Sequence, residues 1–284
     1  MIRFRPLSLA ALLFAAPLIA PTEAQDVEPP QGSSELLQRF QVKEARQGVG
    51  VDADAFYAVD NTIIAKFDKK TGALLAKWEG DAKGAAIHLD SAVVIDGKLY
   101  AAHSNYPAWP MTSSVEIWDA ATLRHLESHS LGIERGSLTW LDRDANGVWW
   151  GAFANYNRVF DKSPAAYGNN DNTQVVRFDA DWRVAEAWVF PDALIEKFGD
   201  MSNSGGAWGP DGKLYVTGHD NAELYVMELP EIGSELTWVG TIPAEIAGQG
   251  IAFDRSRPGV LYGIIRKKEG SEVTVSRVTP PAMN

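Results

Sequence analysis

The chain has 284 residues, no cysteine, and 26 basic against 37 acidic side chains, for a formal net charge of −11. Such a charge repels the phosphates of nucleic acids and anionic lipids, so we expect neither as a partner. The lack of cysteine excludes disulfides, zinc–thiolate sites, iron–sulfur clusters and a cysteine nucleophile. With 45% apolar and 22% charged residues, the composition is typical of a folded chain with a large core.

Residues 1–24 have the three-part pattern of a secretory signal peptide. A basic stretch ending at Arg5 precedes an apolar run over 7–20, and residues 22–24 place small side chains at a cleavage site. The apolar run is too short to span a bilayer comfortably, although an N-terminal anchor is the alternative. We therefore predict a periplasmic or secreted protein with no membrane attachment after leader removal. Residues 25–34 are expected to be a disordered lead-in.

The remaining chain, 35–284, repeats one unit: a glycine-rich start, a short apolar strand, a tight turn, an aromatic strand and a third strand. The aromatic strand recurs as FYAV (56–59), LYAA (99–102), WWGA (149–152), LYVT (214–217) and LYGI (261–264). Asp-Gly and Asn-Gly pairs, strong hairpin signals, precede several of these strands. Repeated units of strands with almost no helix are typical of propeller blades. We predict an all-β, five-bladed β-propeller forming a single domain.

Two segments bear on the blade count and on closure of the ring. A sixth blade in 190–203 is the alternative, but PDALIEKFGD (191–200) favours one short helix. The last unit ends after its third strand, and 35–45 is an unpartnered strand before the first unit. Pairing of these terminal segments would close the ring and remove an exposed sheet edge.

Polar residues concentrate on one face of the predicted ring. Loops joining second to third strands, and loops joining neighbouring blades, both surround the channel mouth, where scaffolds of this kind bind ligands. Three of the five histidines fall there, whereas His125 and His129 belong to an outer strand and are expected to be ordinary exposed residues. The alternative is that these polar side chains only satisfy backbone groups around a solvated channel. We predict substrate contacts from Arg46, Gln47, Asn105, Tyr106, Trp109, Ser137, Tyr156, Asn203, Gln249 and Arg266.

Two long insertions, 105–114 and 155–173, lie on the same face. Their aromatic residues include Tyr106, Trp109 and Tyr156, together with Phe160 and Tyr167. We expect these rings to cover a pocket for a small, partly apolar ligand; the alternative is that the loops only cover one another. Most other aromatic residues, including most of the ten tryptophans, are expected to fill the spaces between blades.

The chemistry that these residues support is proton transfer. His88 or His103 is the predicted general base, because imidazole titrates near neutral pH. Arg135, with amides such as Asn105 and Asn203, is predicted to stabilise an oxyanion. The resulting hypothesis is a hydrolase or isomerase acting on a lactone or cyclic ester, and a lyase would use the same site. The second hypothesis is a non-catalytic propeller that binds a sugar or a protein partner, for which the histidines would be replaceable.

One divalent metal is a further expectation. A zinc-like ion would bind His88, His103 and His219, and a calcium-like ion would bind Glu134, Asn155 and Asp220. The sequence has no P-loop and no complete G-x-G-x-x-G opening a helix, so we expect no nucleotide cofactor. We expect a monomer acting on a small-molecule substrate.

The second blade resembles a known family. His88, DGKLY (96–100), His103 and SSVEIWD (113–119) are similar to the histidine-bearing blade of paraoxonase-like proteins. The resemblance implies the calcium-dependent propeller superfamily that includes gluconolactonases and strictosidine-synthase-like proteins, whose members hold a divalent metal through Asn, Asp and Glu and open lactones or esters. These relatives usually have six blades. The whole chain also resembles exported bacterial propellers, some labelled cycloisomerases.

Overall fold

The computed structural model describes residues 28–157 and 169–282. They form five four-stranded antiparallel sheets arranged as blades in a ring, which confirms the five-bladed β-propeller predicted from the repeats. Within these ranges one α-helix occurs, α1 (Asp192–Phe198), and it lies in the connection where a short helix was expected. No helix in the described ranges has the length and apolar character needed to cross a membrane.

The strands follow the predicted order from the inner to the outer edge of each blade. Blade 1 contains β2 (Gly48–Val51), β3 (Ala55–Asp60), β4 (Ile63–Asp68) and β5 (Leu74–Glu79). Blade 2 contains β6 (Leu89–Ile95), β7 (Lys98–Ser104), β8 (Ser113–Asp119) and β9 (His125–Gly132). Blade 3 contains β10 (Ser137–Arg143), β11 (Trp149–Ala154), β12 (Gln174–Phe178) and β13 (Val184–Val189). Blade 4 contains β14 (Gly205–Trp208), β15 (Leu214–Thr217), β16 (Glu223–Glu228) and β17 (Thr237–Pro243). Blade 5 contains β18 (Ala252–Phe253), β19 (Val260–Ile265), β20 (Glu272–Thr279) and, from the other end of the chain, β1 (Ser33–Gln41).

The N-terminal strand closes the ring. β1 pairs antiparallel with β20, as expected from the unpartnered strands at the two ends of the repeat. The fold begins earlier than predicted, because β1 starts at Ser33 and Gln31 already pairs with Thr241 of β17. The free edge of β17 provides the backbone groups that order this part of the lead-in, and the Gly32 N–H donates to the Thr241 carbonyl at 2.9 Å. The predicted signal peptide lies outside the described residues.

Aromatic side chains fill the spaces between the blades. Tyr57, Trp140, Tyr215 and Tyr262 are each at most 2% exposed. Their bulk suits the wedge-shaped space between neighbouring sheets, and their polar atoms mostly have partners: the Trp140 Nε1–H, for example, donates to Asn203 at 2.7 Å. The core packing predicted for these repeated aromatic positions is therefore observed.

The inner strands of the ring approach one another closely. A Cβ atom at Gly48 would lie 2.9 Å from the Cα of Ser91, and one at Gly250 would lie 2.5 Å from the Ser91 Cβ. The Gly250 N–H donates to the Gln47 carbonyl at 2.9 Å, so blades 5 and 1 touch directly. The centre of the ring is therefore packed at this level, and polar side chains gather where the inner strands begin.

Candidate functional site

His88 lies immediately before β6, at the channel mouth. Its Nδ1 is 2.6 Å from the Asn61 amide oxygen, which also accepts from the Gln47 amide at 2.9 Å. Because that oxygen only accepts, the His88 Nδ1 carries the proton and its Nε2 has the free electron pair. Burial, followed by the charges of His103 and Arg266, lowers the pKa of His88 to about 4. The imidazole is therefore neutral at neutral pH, with a basic nitrogen fixed in position.

His103 ends β7 next to His88, and a buried chain of hydrogen bonds fixes its tautomer. Its Nδ1 is 2.8 Å from Ser114 Oγ, and Ser114 donates to the Glu116 carboxylate at 2.6 Å. Since the single hydroxyl proton goes to Glu116, the His103 Nδ1–H must donate to the hydroxyl. The His103 Nε2 is buried and has no hydrogen-bond partner in the described part of the chain. Burial lowers the pKa of His103, and the charge of Glu116 opposes this effect.

Glu116 also reaches the outside of the blade. Its second oxygen is 2.8 Å from Nε2 of His125, whose side chain is 41% exposed. Ser128 donates to the first oxygen at 2.8 Å. The sequence predicted an ordinary exposed residue at His125. The structure instead links His125 through Glu116 and Ser114 to the buried His103.

Asp90 is a buried carboxyl group that sequence reasoning did not select. It is 5% exposed, and its Oδ2 is 3.7 Å from the His88 Nε2. Burial raises its pKa well above the ordinary value, while the charge of Arg266 acts in the opposite direction. Burial thus favours the proton-bearing form of this carboxyl group, which lies beside an imidazole with a free nitrogen, and such a pair suits an acid and a base. The sequence signal was available, since Asp90 follows His88 by two residues, but its burial was not.

Arg266 follows β19 of blade 5 and completes the group. Its Nη2 is 3.0 Å from Nε2 of His219, and the His219 Nδ1 lies 2.8 Å from an oxygen of Asp220. A guanidinium only donates, so the His219 Nε2 accepts. We refer to His88, Asp90, His103, His219 and Arg266 as the mouth cluster. Blades 2, 4 and 5 each contribute to it.

The 105–112 loop covers the mouth cluster. The Tyr106 ring lies 4.9 Å from the His88 ring and 5.3 Å from the Tyr156 ring, and Tyr156 packs with the buried Met111. Both polar ends of the Asn105 side chain close this loop, by accepting from the Thr112 N–H and donating to the Pro110 carbonyl. Tyr106 therefore keeps its predicted position over the site, whereas Asn105 is occupied by its own loop. Phe160 and Tyr167 lie outside the described residues.

Arg135 lies in a different place from the one its predicted role requires. It donates to Gln174 at 2.8 Å and lines a cavity of about 530 Å³ on blade 3. We call this the blade 3 cavity; its lining includes Trp109, Glu134, Arg135, Asn155, Gln174 and Trp188. The charge that acts on His88 and Asp90 is instead that of Arg266. The contacts of Arg135 therefore favour Arg266, and not Arg135, as the arginine that acts together with His88 and Asp90.

Other predicted residues hold the backbone. The Asn203 amide accepts from Trp140 and donates to the carbonyls of Gly205 and Thr217, which leaves nothing for an oxyanion. Ser137 is fully buried and donates to Ser104. Gln249 donates to the His219 carbonyl and so helps to position that residue. These three side chains thus form hydrogen bonds within the protein, as the alternative to a substrate-binding role predicts.

The remaining predicted residues lie around the rim. Arg46 donates to the Lys267 carbonyl and lies 3.8 Å from Asp60, and Gln47 positions Asn61 beneath His88. Asp220 is 78% exposed at the outer side of His219. The Asn155 side chain donates to the carbonyls of Arg135 and Asn172, so it closes the base of the blade 3 cavity.

The predicted metal donors do not converge. In the described part of the chain, no group of three or more His, Cys, Asp or Glu side chains is arranged to hold a metal ion. The His219 Nε2 accepts from a guanidinium, which repels a cation, and the buried His103 Nε2 and His219 Nδ1 have no hydrogen-bond partner in the described part of the chain. The contacts of the described residues do not bring either predicted set together; a bound metal stays a proposal, and no step below passes through one.

The sequence matches no known protein family and no curated protein. Among solved structures, the chain is similar to the glutaminyl cyclase of Myxococcus xanthus, with a TM-score of 0.57 and 10% identity over 90% of this chain and 100% of that chain. It is also similar to the PQQ-bound aldose sugar dehydrogenase of Streptomyces coelicolor, with a TM-score of 0.51 and 12% identity over 89% and 100% of the two chains. At these identities the likeness shows the propeller fold alone.

Proposed function

We propose that the protein is a small-molecule enzyme that transfers protons at the mouth cluster, with lactone or ester hydrolysis as its reaction. One observation carries the proposal. The neutral His88, with its free Nε2, lies 3.7 Å from an oxygen of the buried Asp90, and burial raises the pKa of that carboxyl group. A base and an acid in adjacent positions suit reactions in which one proton is removed and another is delivered.

In hydrolysis, a water molecule adds to the carbonyl carbon as the His88 Nε2 removes its proton. The ester C–O bond breaks, and Asp90 gives its proton to the departing oxygen. The extra proton on His88 then returns to Asp90 across the 3.7 Å that separates Nε2 from Oδ2, which restores the starting state. An isomerase or lyase would use the same pair, with the proton taken from carbon.

The test is a screen of γ-lactones, δ-lactones and aryl esters, with proton release measured in a pH-stat. We expect His88→Gln and Asp90→Asn to lower kcat/KM about 10²-fold or more, the usual size of a general acid–base contribution. His129→Gln is the matched control, because His129 lies on the outer strand beside Glu127, and its activity should equal that of the wild type. Activity that survives unchanged in both site variants would exclude the mouth cluster as the reaction centre.

A binding module without catalysis is the second candidate, and the blade 3 cavity favours it. Trp109 and Trp188 line this cavity together with Arg135 and Asn155. Aromatic faces next to polar groups suit a sugar or a segment of a partner protein. In this case Trp109→Ala should abolish binding in a glycan array, whereas His88→Gln should leave it intact.

Two further expectations remain proposals. We infer export to the periplasm or the medium from the leader pattern in residues 1–24. Mass spectrometry of the secreted chain should find an N-terminus at Gln25. A bound divalent metal is tested by elemental analysis of the purified protein. A ratio near one metal per chain would support the single divalent ion expected from the sequence.

A further inference from the structure

Arg266 is a partly buried cation without an anionic partner among the described residues. Its Nη2 donates to the Nε2 of His219 at 3.0 Å. Asp220 lies 2.8 Å from His219, and Glu272 is paired with Lys267 at 2.7 Å. The charge of Arg266 acts on the buried Asp90, whose near neighbour is His88 at 3.7 Å. No carboxylate among the described residues therefore forms an ion pair with the guanidinium.

Most of the other arginines in the described ranges form ion pairs. Examples are Arg39 with Glu272 and Arg255 with Asp142, each at 2.7 Å or less. Arg135 shares with Arg266 the combination of partial burial and no carboxylate partner in the described ranges, and it donates to an amide. In a chain with a net charge of −11, such a cation indicates a place prepared for an external anion.

The orientation of the guanidinium is also fixed. The His219 imidazole holds one Nη group, and the Gln249 amide in turn holds the His219 backbone carbonyl at 2.9 Å. A guanidinium has five N–H donors, so others remain for a planar anion after the bond to His219. A carboxylate matches this fork in two parallel hydrogen bonds and carries the single charge that one guanidinium neutralises.

We propose that Arg266 binds the carboxylate of a small organic acid, with the reacting group of that acid next to His88. The site thus takes a monocarboxylate, such as a lactone that carries a free acid group, rather than a neutral ester. The binding of a carboxylate is inferred from the contacts of Arg266, whereas the placement of the reacting group next to His88 rests on the proposed function. The Tyr106 ring, stacked near His88, covers the organic part of the ligand.

The experiment measures binding without turnover. Acetate, 4-hydroxybutyrate and phenylacetate are titrated into the full-length protein by calorimetry, each compared with its primary amide. We expect at least one acid to bind about tenfold more tightly than its amide in the wild type. Arg266→Gln should abolish the difference, and Arg266→Lys should retain part of it, because the charge remains but the fork is lost. Arg135→Gln tests the other partly buried guanidinium as the binding site. Arg124→Gln, which removes an exposed arginine of blade 2, is the matched control and should retain the preference fully.

Three results would overturn the proposal: acids and amides bind equally, no acid binds at millimolar concentration, or Arg135→Gln removes the preference while Arg266→Gln retains it. A thermal unfolding curve for each variant separates lost binding from lost folding. If Arg266→Gln does not fold, the preference for the acid over its amide is measured in Arg266→Lys instead. Because His88 is intact in every variant, failure here leaves the proposed hydrolysis open to its own test.

Discussion

Glu116 should raise the pKa of His103 through two successive hydrogen bonds. Its carboxylate accepts from Ser114, which accepts from the His103 Nδ1–H, so a proton taken up at Nε2 is stabilised by the negative charge through the hydroxyl. Glu116→Gln keeps the shape of the side chain and removes that charge. The pKa of His103, already lowered by burial, should therefore fall further.

The size of the effect follows from the hydrogen bonds involved. A bond to a charged group contributes about 1.5–3 kcal/mol and a neutral one about 0.5–1.5 kcal/mol, so the substitution removes about 1–1.5 kcal/mol. Since one pKa unit corresponds to about 1.36 kcal/mol, the titration midpoint of His103 should fall by about one unit. The stabilisation of the imidazolium is lost, so the tautomer with the proton on Nδ1 should persist over a wider pH range.

The assay is NMR of histidine labelled with nitrogen-15, which reports the protonation and tautomer of each ring directly. Ser114→Ala breaks the same link by another route and should lower the midpoint in the same direction. Glu127→Gln removes an exposed carboxylate of the same blade that pairs with Lys98, and it should leave His103 unchanged. An unaltered His103 titration in Glu116→Gln, with the fold intact, would refute the reasoning that Glu116 acts on this imidazole.

Two further predictions concern the closure of the ring. The Lys267 ammonium, with Gln41 and Arg39 of β1, lowers the pKa of Glu272 to about 2 from the ordinary 4.5, so its stabilising contribution is complete above about 4.5 and is lost as the pH falls towards 2. Acid unfolding of Glu272→Gln should lack this component, and identical curves for variant and wild type would contradict it. Lys69→Met should destabilise the protein by about 3–5 kcal/mol in urea unfolding, because it leaves the fully buried Asp254 without the cation that lies 2.6 Å away. Adding Asp254→Asn should recover part of that loss, and a double variant as unstable as the single one would show that the pair is not the cause.

The fold was predictable because its signals are local. Each blade repeats an aromatic strand and a tight turn, and the predicted aromatic strand FYAV (56–59) lies within β3. The closing strand was also identified, although its start at Ser33 depends on a sheet edge that is distant in sequence. His88 and His103 were found because both lie at strand ends of one blade. The turns, the aromatic strands and the positions of these two histidines therefore depend on short stretches of sequence.

The missing part of the site depends on contacts between blades. Strand order predicts which face a residue lies on, but it does not predict which neighbour it meets around the ring. Arg135 and Arg266 occupy similar corners of their own blades, yet only Arg266 acts electrostatically on His88. The environment of Asp90 likewise follows from packing at the centre of the ring. Long-range closure therefore determines which guanidinium belongs to the site.

Closure and chemistry are coupled through blade 5. Arg266 follows β19, which pairs with β20, and β20 is completed by β1 from the other end of the chain. The β1 residue Arg39 donates to Glu272, which begins β20, at 2.7 Å. β1 contributes no residue to the mouth cluster, yet it supports the strand pair from which the guanidinium extends. Glu272→Gln should therefore weaken carboxylate binding at Arg266 at neutral pH, where the ligand stays ionised, while the ring as a whole remains folded, because blade 5 is the one described blade whose outer strand is not joined to it by a direct turn.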